Sequence, residues 1–68
     1  MGEVKDIIDA KQIAERHLQE RGKVVFGYEI RSIFKKGLAW FVEIESKVFN
    51  GVVVIKSATG EVASVIEL

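Results

Sequence analysis

Residues 48–68, VFNGVVVIKSATGEVASVIEL, decide the fold because turn signals divide them into short β-branched runs. Asn50-Gly51 predicts a type I′ hairpin turn, since both residues tolerate a positive φ. Thr59-Gly60 predicts a second turn. The run between the turns, Val52–Lys56, is therefore a strand, and Glu61–Leu68 is the strand that follows. Val52–Lys56 begins with four apolar residues, so both faces of the sheet carry hydrophobic side chains.

The first third of the chain has the period of an amphipathic helix. At about 100° per residue, one stripe collects the apolar side chains Ile7, Ala10, Ile13, Ala14 and Leu18. Asp6 is a good N-cap because its carboxylate accepts from free backbone amides. Gly22 stands where a left-handed residue ends a helix. The pattern predicts a helix from about Ile7 to Arg21.

Two alternating stretches separate this helix from the final strands. Residues 24–34 and Leu38–Ile44 each place apolar side chains at every second position. Lys35-Lys36-Gly37 predicts a three-residue hairpin loop between them. The predicted fold is α+β, with one N-terminal helix packed on a four-stranded antiparallel β-meander. A single domain spans residues 1–68.

The predicted turns set a register for the sheet, with Phe34 opposite Leu38, Phe49 opposite Val52 and Val53 opposite Ile66. Strict alternation then sorts the side chains onto two faces. The face that receives the helix holds Phe26, Tyr28, Ile30, Trp40, Val42, Ile44, Val48, Val53, Ile55 and Ile66. A three-residue loop at the last turn would instead reverse the two sides of the fourth strand.

The second face has no helix to cover it and mixes apolar with charged side chains. Its charged members are Arg31, Glu43, Glu45, Lys47 and Lys56. A face of this composition is typical of an interface. It predicts a protein-interaction surface made of Phe41, Phe49, Val52, Val54 and Val65.

Charge and composition limit the classes of partner. Ten basic residues balance ten acidic ones, which disfavours a nucleic-acid ligand. Arg31, Lys35 and Lys36 do lie close in sequence to Phe34 and Trp40, but the predicted register turns both rings toward the helix. No apolar run approaches the roughly 20 residues of a membrane-spanning helix, so no membrane insertion is expected. Without a signal segment or cysteine the chain as written is expected to be cytoplasmic, or extracytoplasmic if excised from a larger protein.

The residues that carry chemistry elsewhere form no recognisable site in this sequence. His17 is the only histidine, and a role as metal ligand or general base competes with a histidine packing at the rim of the helix. Glu43 and Glu45 point to one face and form a carboxylate pair, yet Lys47 and Lys56 lie near enough to make this a salt-bridged surface. We therefore predict no catalytic, cofactor-binding or metal-binding residue and no enzyme.

Three strings resemble the PepSY-type domain family: IDAKQIA at residues 8–14, WFVEI at 40–44 and VVIKSATGEV at 53–62. The family pattern has an Ala-x-x-x-Ala helix and a closing hairpin of the "vDxxTGEV" kind, where this chain has Lys56 in place of the acidic residue. The resemblance implies a cystatin-like architecture of one helix on an antiparallel sheet. It also implies a regulatory or inhibitory role toward peptidases.

The predicted function is a non-enzymatic protein-binding module. It would regulate or inhibit a peptidase through the second sheet face or an exposed strand edge. The alternative is a self-associating structural domain, in which the apolar residues of that face pack against a second copy to form a homodimer. In both cases the partner is a protein.

Overall fold

The computed structural model describes residues 3–23 and 27–68. The elements are α1 (Ile7–Glu20), β1 (Glu29–Lys36), β2 (Ala39–Glu45), β3 (Asn50–Lys56) and β4 (Val62–Glu67). The strands form one antiparallel sheet in the order β1-β2-β3-β4. The α+β class and the helix-then-meander order are confirmed. The predictions for residues 24–26, including the position of Phe26, lie outside the described residues.

Both ends of α1 are set by the local signals in the sequence. The Asp6 carboxylate accepts a hydrogen bond of 3.0 Å from the Asp9 amide, as an N-cap does. At the other end Gly22 has a φ of 69°. The Lys23 amide donates to the Leu18 carbonyl at 2.9 Å, and the Gly22 amide donates to the Gln19 carbonyl at 3.1 Å. These bonds form a Schellman motif, which ends the helix at Glu20.

The core lies between α1 and one face of the sheet. The helix contributes the buried side chains Ala10, Ala14 and Leu18, and the sheet contributes Trp40, Val42, Ile44, Val53 and Ile55. All five sheet residues lie on the face that was predicted to receive the helix. The two alanines let the helix backbone approach the sheet closely. Ile7, predicted on the same stripe, is exposed in the first turn.

The segment before α1 closes one end of this core. The Val4 amide donates to the Ser57 carbonyl at 2.7 Å, and the Trp40 indole N–H donates to the Val4 carbonyl at 3.3 Å. Ser57 in turn donates its amide to the Leu38 carbonyl at 3.0 Å. Val4 is buried as a result.

The first hairpin loop starts two residues later than predicted. Lys36 pairs with Ala39, so the loop is the two residues Gly37-Leu38, with Gly37 at a φ of 63°. Phe34 is therefore opposite Phe41 rather than Leu38. A β-bulge at Arg31 shifts the register, so that Ile30 pairs with Ile44. Phe34, predicted to face the helix, points away from it.

The prediction of a turn at Asn50-Gly51 is wrong, because both residues belong to β3 and neither has a positive φ. The chain turns over Ser46–Phe49 instead. The Ser46 hydroxyl accepts from the amides of Val48 at 3.2 Å and Phe49 at 2.9 Å, and the Ser46 amide donates to the Phe49 carbonyl at 2.6 Å. Phe49 enters the core with 3% of its surface exposed, whereas Val48 is 74% exposed.

A bulge within β4, and not a three-residue loop at the last turn, reverses the two sides of the fourth strand. The loop is Ser57–Gly60, and the Lys56 amide donates to the Glu61 carbonyl at 2.8 Å across it. A bulge at Ala63 follows. Val65 consequently pairs with Val53 and lies on the helix side, while Ile66 pairs with Val52 and lies on the opposite face.

Replacing Gly51 by alanine is expected to destabilise the fold by about 1–3 kcal/mol through overpacking. A Cβ at this position would overlap the Ile66 carbonyl and stand 2.7 Å from the Phe49 ring. Asn50→Ala is the control and should change the free energy of unfolding by less than about 0.5 kcal/mol, since Asn50 is exposed. Urea unfolding measures both. A large loss for Asn50→Ala with none for Gly51→Ala would contradict this register.

Phe49→Ala is expected to cost about 3–5 kcal/mol, because it removes a buried aromatic ring. Val48→Ala should be nearly neutral, since this side chain is exposed. The single tryptophan, Trp40, lies in the core and reports unfolding by its fluorescence. A larger loss of stability for Val48→Ala than for Phe49→Ala would show that Val48 faces the helix, as the sequence predicted, and that Phe49 does not.

Candidate protein-interaction surface

The sheet face turned away from α1, here called the open face, is defined by the strand pairing. Each row across the strands combines residues that stand opposite one another. The row nearest the Gly37-Leu38 turn contains Lys36, Ala39 and Lys56. The next row contains Phe34, Phe41, Val54 and Ser64, and the row after that contains Ser32, Glu43, Val52 and Ile66.

A stacked pair of aromatic rings is the most prominent feature of this face. Phe34 and Phe41 lie with ring centroids 5.2 Å apart and an interplanar angle of 11°. Phe34 remains 49% exposed and Phe41 is half-buried. Directly opposed aromatic residues on neighbouring strands stabilise a sheet. Here the pair also presents a flat apolar surface to the outside.

The apolar surface continues from the aromatic pair across the rest of the sheet. Val54 and Val52 are half-buried on β3, and Ile66 on β4 is 50% exposed. The five side chains form a diagonal stripe from β1 to β4. Because α1 lies on the other side of the sheet, no described residue packs over this stripe as a second layer.

Hydrogen-bonded polar groups border the stripe. Arg31 forms an ion pair with Glu45 at 2.7 Å, and the Ser32 hydroxyl donates to Glu43 at 3.2 Å. Lys56 is 3.2 Å from Glu61, a residue in the turn before β4. The charged side chains of the two ion pairs are exposed, so each ion pair adds little to stability. A polar border around an apolar centre is also the usual composition of a protein interface.

The structure brings together three of the five residues predicted for the interaction surface. Phe41, Val52 and Val54 lie on the open face. Phe49 does not, because the Ser46–Phe49 turn buries it in the core. Val65 does not, because the β3–β4 register turns it to the helix side, where it is 37% exposed.

Two residues of this surface were assigned to the helix side by the sequence argument, Phe34 and Ile66. For Phe34, the missed signal was Gly37 itself: a two-residue loop starting at this glycine pairs Phe34 with Phe41. For Ile66, the missed feature was the bulge at Ala63, which moves the residues after it to the opposite faces of the sheet.

A cleft of about 330 Å³ lies on the other side of the molecule, between α1 and the Gly60–Val62 segment. His17 lines it, and Arg21 Nη1 is 3.3 Å from His17 Nδ1. Burial lowers the pKa of His17, and the Arg21 charge lowers it further, against an opposing effect of Glu20. The guanidinium beside the ring also disfavours a bound cation. Among residues 3–23 and 27–68, no cluster of His, Asp or Glu is placed to hold a metal ion.

Tyr28 is hydrogen-bonded to the helix. Its phenolic O–H donates to Glu15 Oε2, and this bond, together with burial, raises the pKa of Tyr28. The two groups with displaced pKa values, His17 and Tyr28, thus contact different partners. Neither of these two side chains lies on the open face.

Comparisons with known proteins add no family to these observations. No protein-family model, no curated protein and no solved structure matches the chain. The PepSY resemblance therefore rests on the sequence motifs alone. Within the described ranges, no helix has both the length and the apolar character needed to cross a membrane.

Glu15→Gln is expected to lower the pKa of Tyr28 toward its ordinary value of 10.0, because the charged acceptor of its proton is lost. In the native protein the Tyr28 contribution to stability is complete below pH 10 and disappears as the pH rises through the raised pKa. The absorbance of tyrosinate as a function of pH measures the pKa of Tyr28 directly, since Tyr28 is the only tyrosine.

Glu20→Gln is the matched control for this titration, as an exposed glutamate on the same helix. It should leave the Tyr28 curve unchanged. If Glu15→Gln also leaves the curve unchanged, the hydrogen bond between Tyr28 and Glu15 is absent in solution.

Proposed function

We propose that this domain is a non-enzymatic protein-binding module that engages its partner through the open face. One observation carries the proposal: the Phe34–Phe41 stack continues into Val54, Val52 and Ile66 on a face that α1 does not cover. An apolar area of this kind, bordered by polar groups, is the usual mark of an interaction site.

The aromatic pair supplies the main energetic argument. A fully buried side chain of this size contributes about 1.5–3 kcal/mol, so covering the exposed half of Phe34 contributes on the order of 1 kcal/mol. The rings are already stacked on each other, and little side-chain entropy is lost when a partner covers them. A few such anchors carry most of the affinity of a typical interface.

Shape and charge favour a protein over other ligands. A sheet face is flat or gently twisted, whereas small molecules bind in concave sites. Phe34 and Phe41 could stack on nucleic-acid bases, but the open face pairs Arg31 with Glu45 and also carries Glu43. A strand of phosphates needs an excess of positive charge, which this balanced face does not provide.

The PepSY resemblance suggests the class of partner, a peptidase whose activity the domain regulates or inhibits. This part of the proposal depends on the motifs at residues 8–14, 40–44 and 53–62. The open face then acts as a docking surface that needs no catalytic group of its own.

Phe34→Asp is expected to weaken partner binding at least about tenfold, because it places a charge at the centre of the apolar stripe. Ile8→Asp is the matched control, since Ile8 is an exposed apolar residue on α1 away from the open face. Biosensor binding and substrate hydrolysis should be measured with a panel of purified metallo-, serine and cysteine peptidases.

Equal binding by Phe34→Asp and Ile8→Asp would exclude the open face as the docking site. Failure of the native domain to bind any peptidase class would exclude that kind of partner. Circular dichroism of both variants verifies that the helix and the sheet remain folded.

A further inference from the structure

Among residues 3–23 and 27–68, no strand pairs with the outer edge of β4, so its backbone groups are available to another strand. β4 is the last strand of the sheet and pairs with β3 on its inner side. The Leu68 amide donates to the Asn50 carbonyl at 2.8 Å. Because the direction of backbone groups alternates along an antiparallel strand, Ser64 and Ile66 also face β3. Val65 and Glu67 consequently direct their N–H and C=O groups outward.

The two edges of the sheet differ in how well they are protected from such pairing. β1, the opposite edge, is bulged at Arg31 and carries Glu29, Lys35 and Lys36. Bulges and charged residues are the usual devices that keep an edge strand from pairing. β4 has the sequence VASVIE, with one charged residue and no lysine or proline. Its bulge at Ala63 lies near the turn and leaves Ser64–Glu67 regular.

The sequence of β4 is compatible with antiparallel pairing to itself, and a register centred on Val65 combines the longest overlap with no like charges opposite each other. With Val65 opposite Val65 of a second copy, Ser64 stands opposite Ile66, and Glu67 opposite Ala63. A register centred on Ser64 would oppose Glu61 and Glu67, which repel each other. With Ile66 opposite Ile66, only Val65–Glu67 of each β4 would pair with the other copy.

We propose that β4 pairs with β4 of a second copy about a two-fold axis at Val65. The Val65 N–H of each copy donates to the Val65 carbonyl of the other, and the two four-stranded sheets become one continuous sheet. The axis is perpendicular to the sheet, so both helices lie on one side and both open faces on the other. This pairing uses backbone groups and leaves the stripe of Phe34 and Phe41 uncovered.

The size of this contact predicts a weak dimer. Pairing along a few residues buries less than the roughly 1,200 Å² at the lower limit of stable interfaces. Sedimentation equilibrium of the full chain over micromolar to millimolar concentrations is therefore the suitable measurement. We expect a reversible dimer at the upper end of this range.

Charge substitutions at Val65 test the axis directly. Val65→Lys and Val65→Glu each place two like charges opposite one another, which should weaken the dimer by about fivefold or more. An equimolar mixture of the two variants should restore it, because lysine then faces glutamate. Val65→Thr, which keeps the β-branched shape, is the control and should dimerise nearly as the native chain does.

Each contrary outcome overturns the proposal. A native chain that stays monomeric at millimolar concentration excludes the pairing, and a dimer insensitive to charge at Val65 places the contact elsewhere. A mixture that fails to associate excludes the axis at Val65. A dimer strengthened by Val65→Lys alone indicates that Glu67 of the second copy stands opposite Val65, which is a different register.

A backbone variant keeps the test valid if a charged variant fails to fold. N-methylation of the Val65 amide in a synthetic chain removes one outward N–H and no hydrogen bond to β3. It should abolish the dimer while the circular dichroism spectrum is retained. Phe34→Asp should leave dimerisation unchanged, so a failure of the open-face proposal is distinguishable from a failure of this one.

Discussion

The packing of α1 against one face of the sheet is the contact on which the rest of the structure depends. Ala10 and Ala14 bring the helix close to the sheet, and Leu18 fills the space beside them. One helix can cover only one face, so every side chain on the other face is left to solvent or to a partner. The exposed aromatic pair follows from this arrangement, whereas the open edge of β4 follows from its place at the end of the strand order.

The two surfaces have different chemistry and leave each other accessible. The open face offers side chains, centred on Phe34 and Phe41, with a polar border. The β4 edge offers backbone groups in a regular, nearly uncharged strand. A pair of copies joined at β4 would present two open faces side by side. Such a dimer would bind two sites on one partner at the same time. Because the two open faces are joined, the overall affinity would rise without any new contact.

The sequence predicts the elements of this fold better than their registers. Asp6 and Gly22 mark the ends of the helix, and β-branched runs mark the strands. All three turns were placed or sized wrongly, because turn signals compete with other local hydrogen bonds. Ser46 illustrates this, because its hydroxyl organises a turn just before Asn50-Gly51. Asn50-Gly51 is nevertheless the stronger turn signal in the sequence. Each change of register decides which face receives a side chain.

The sequence by itself therefore determined the α+β class, the order of elements and the presence of apolar residues on both faces of β3. Phe41, Val52 and Val54 were placed correctly because alternation within a strand does not depend on the turns. Only the tertiary structure decided that Phe49 is buried, that Val65 faces the helix side, and that Phe34 and Ile66 complete the open face. The physical reason is one of magnitude: burying a phenylalanine is worth about 1.5–3 kcal/mol, more than the preference of a short turn for one position over another.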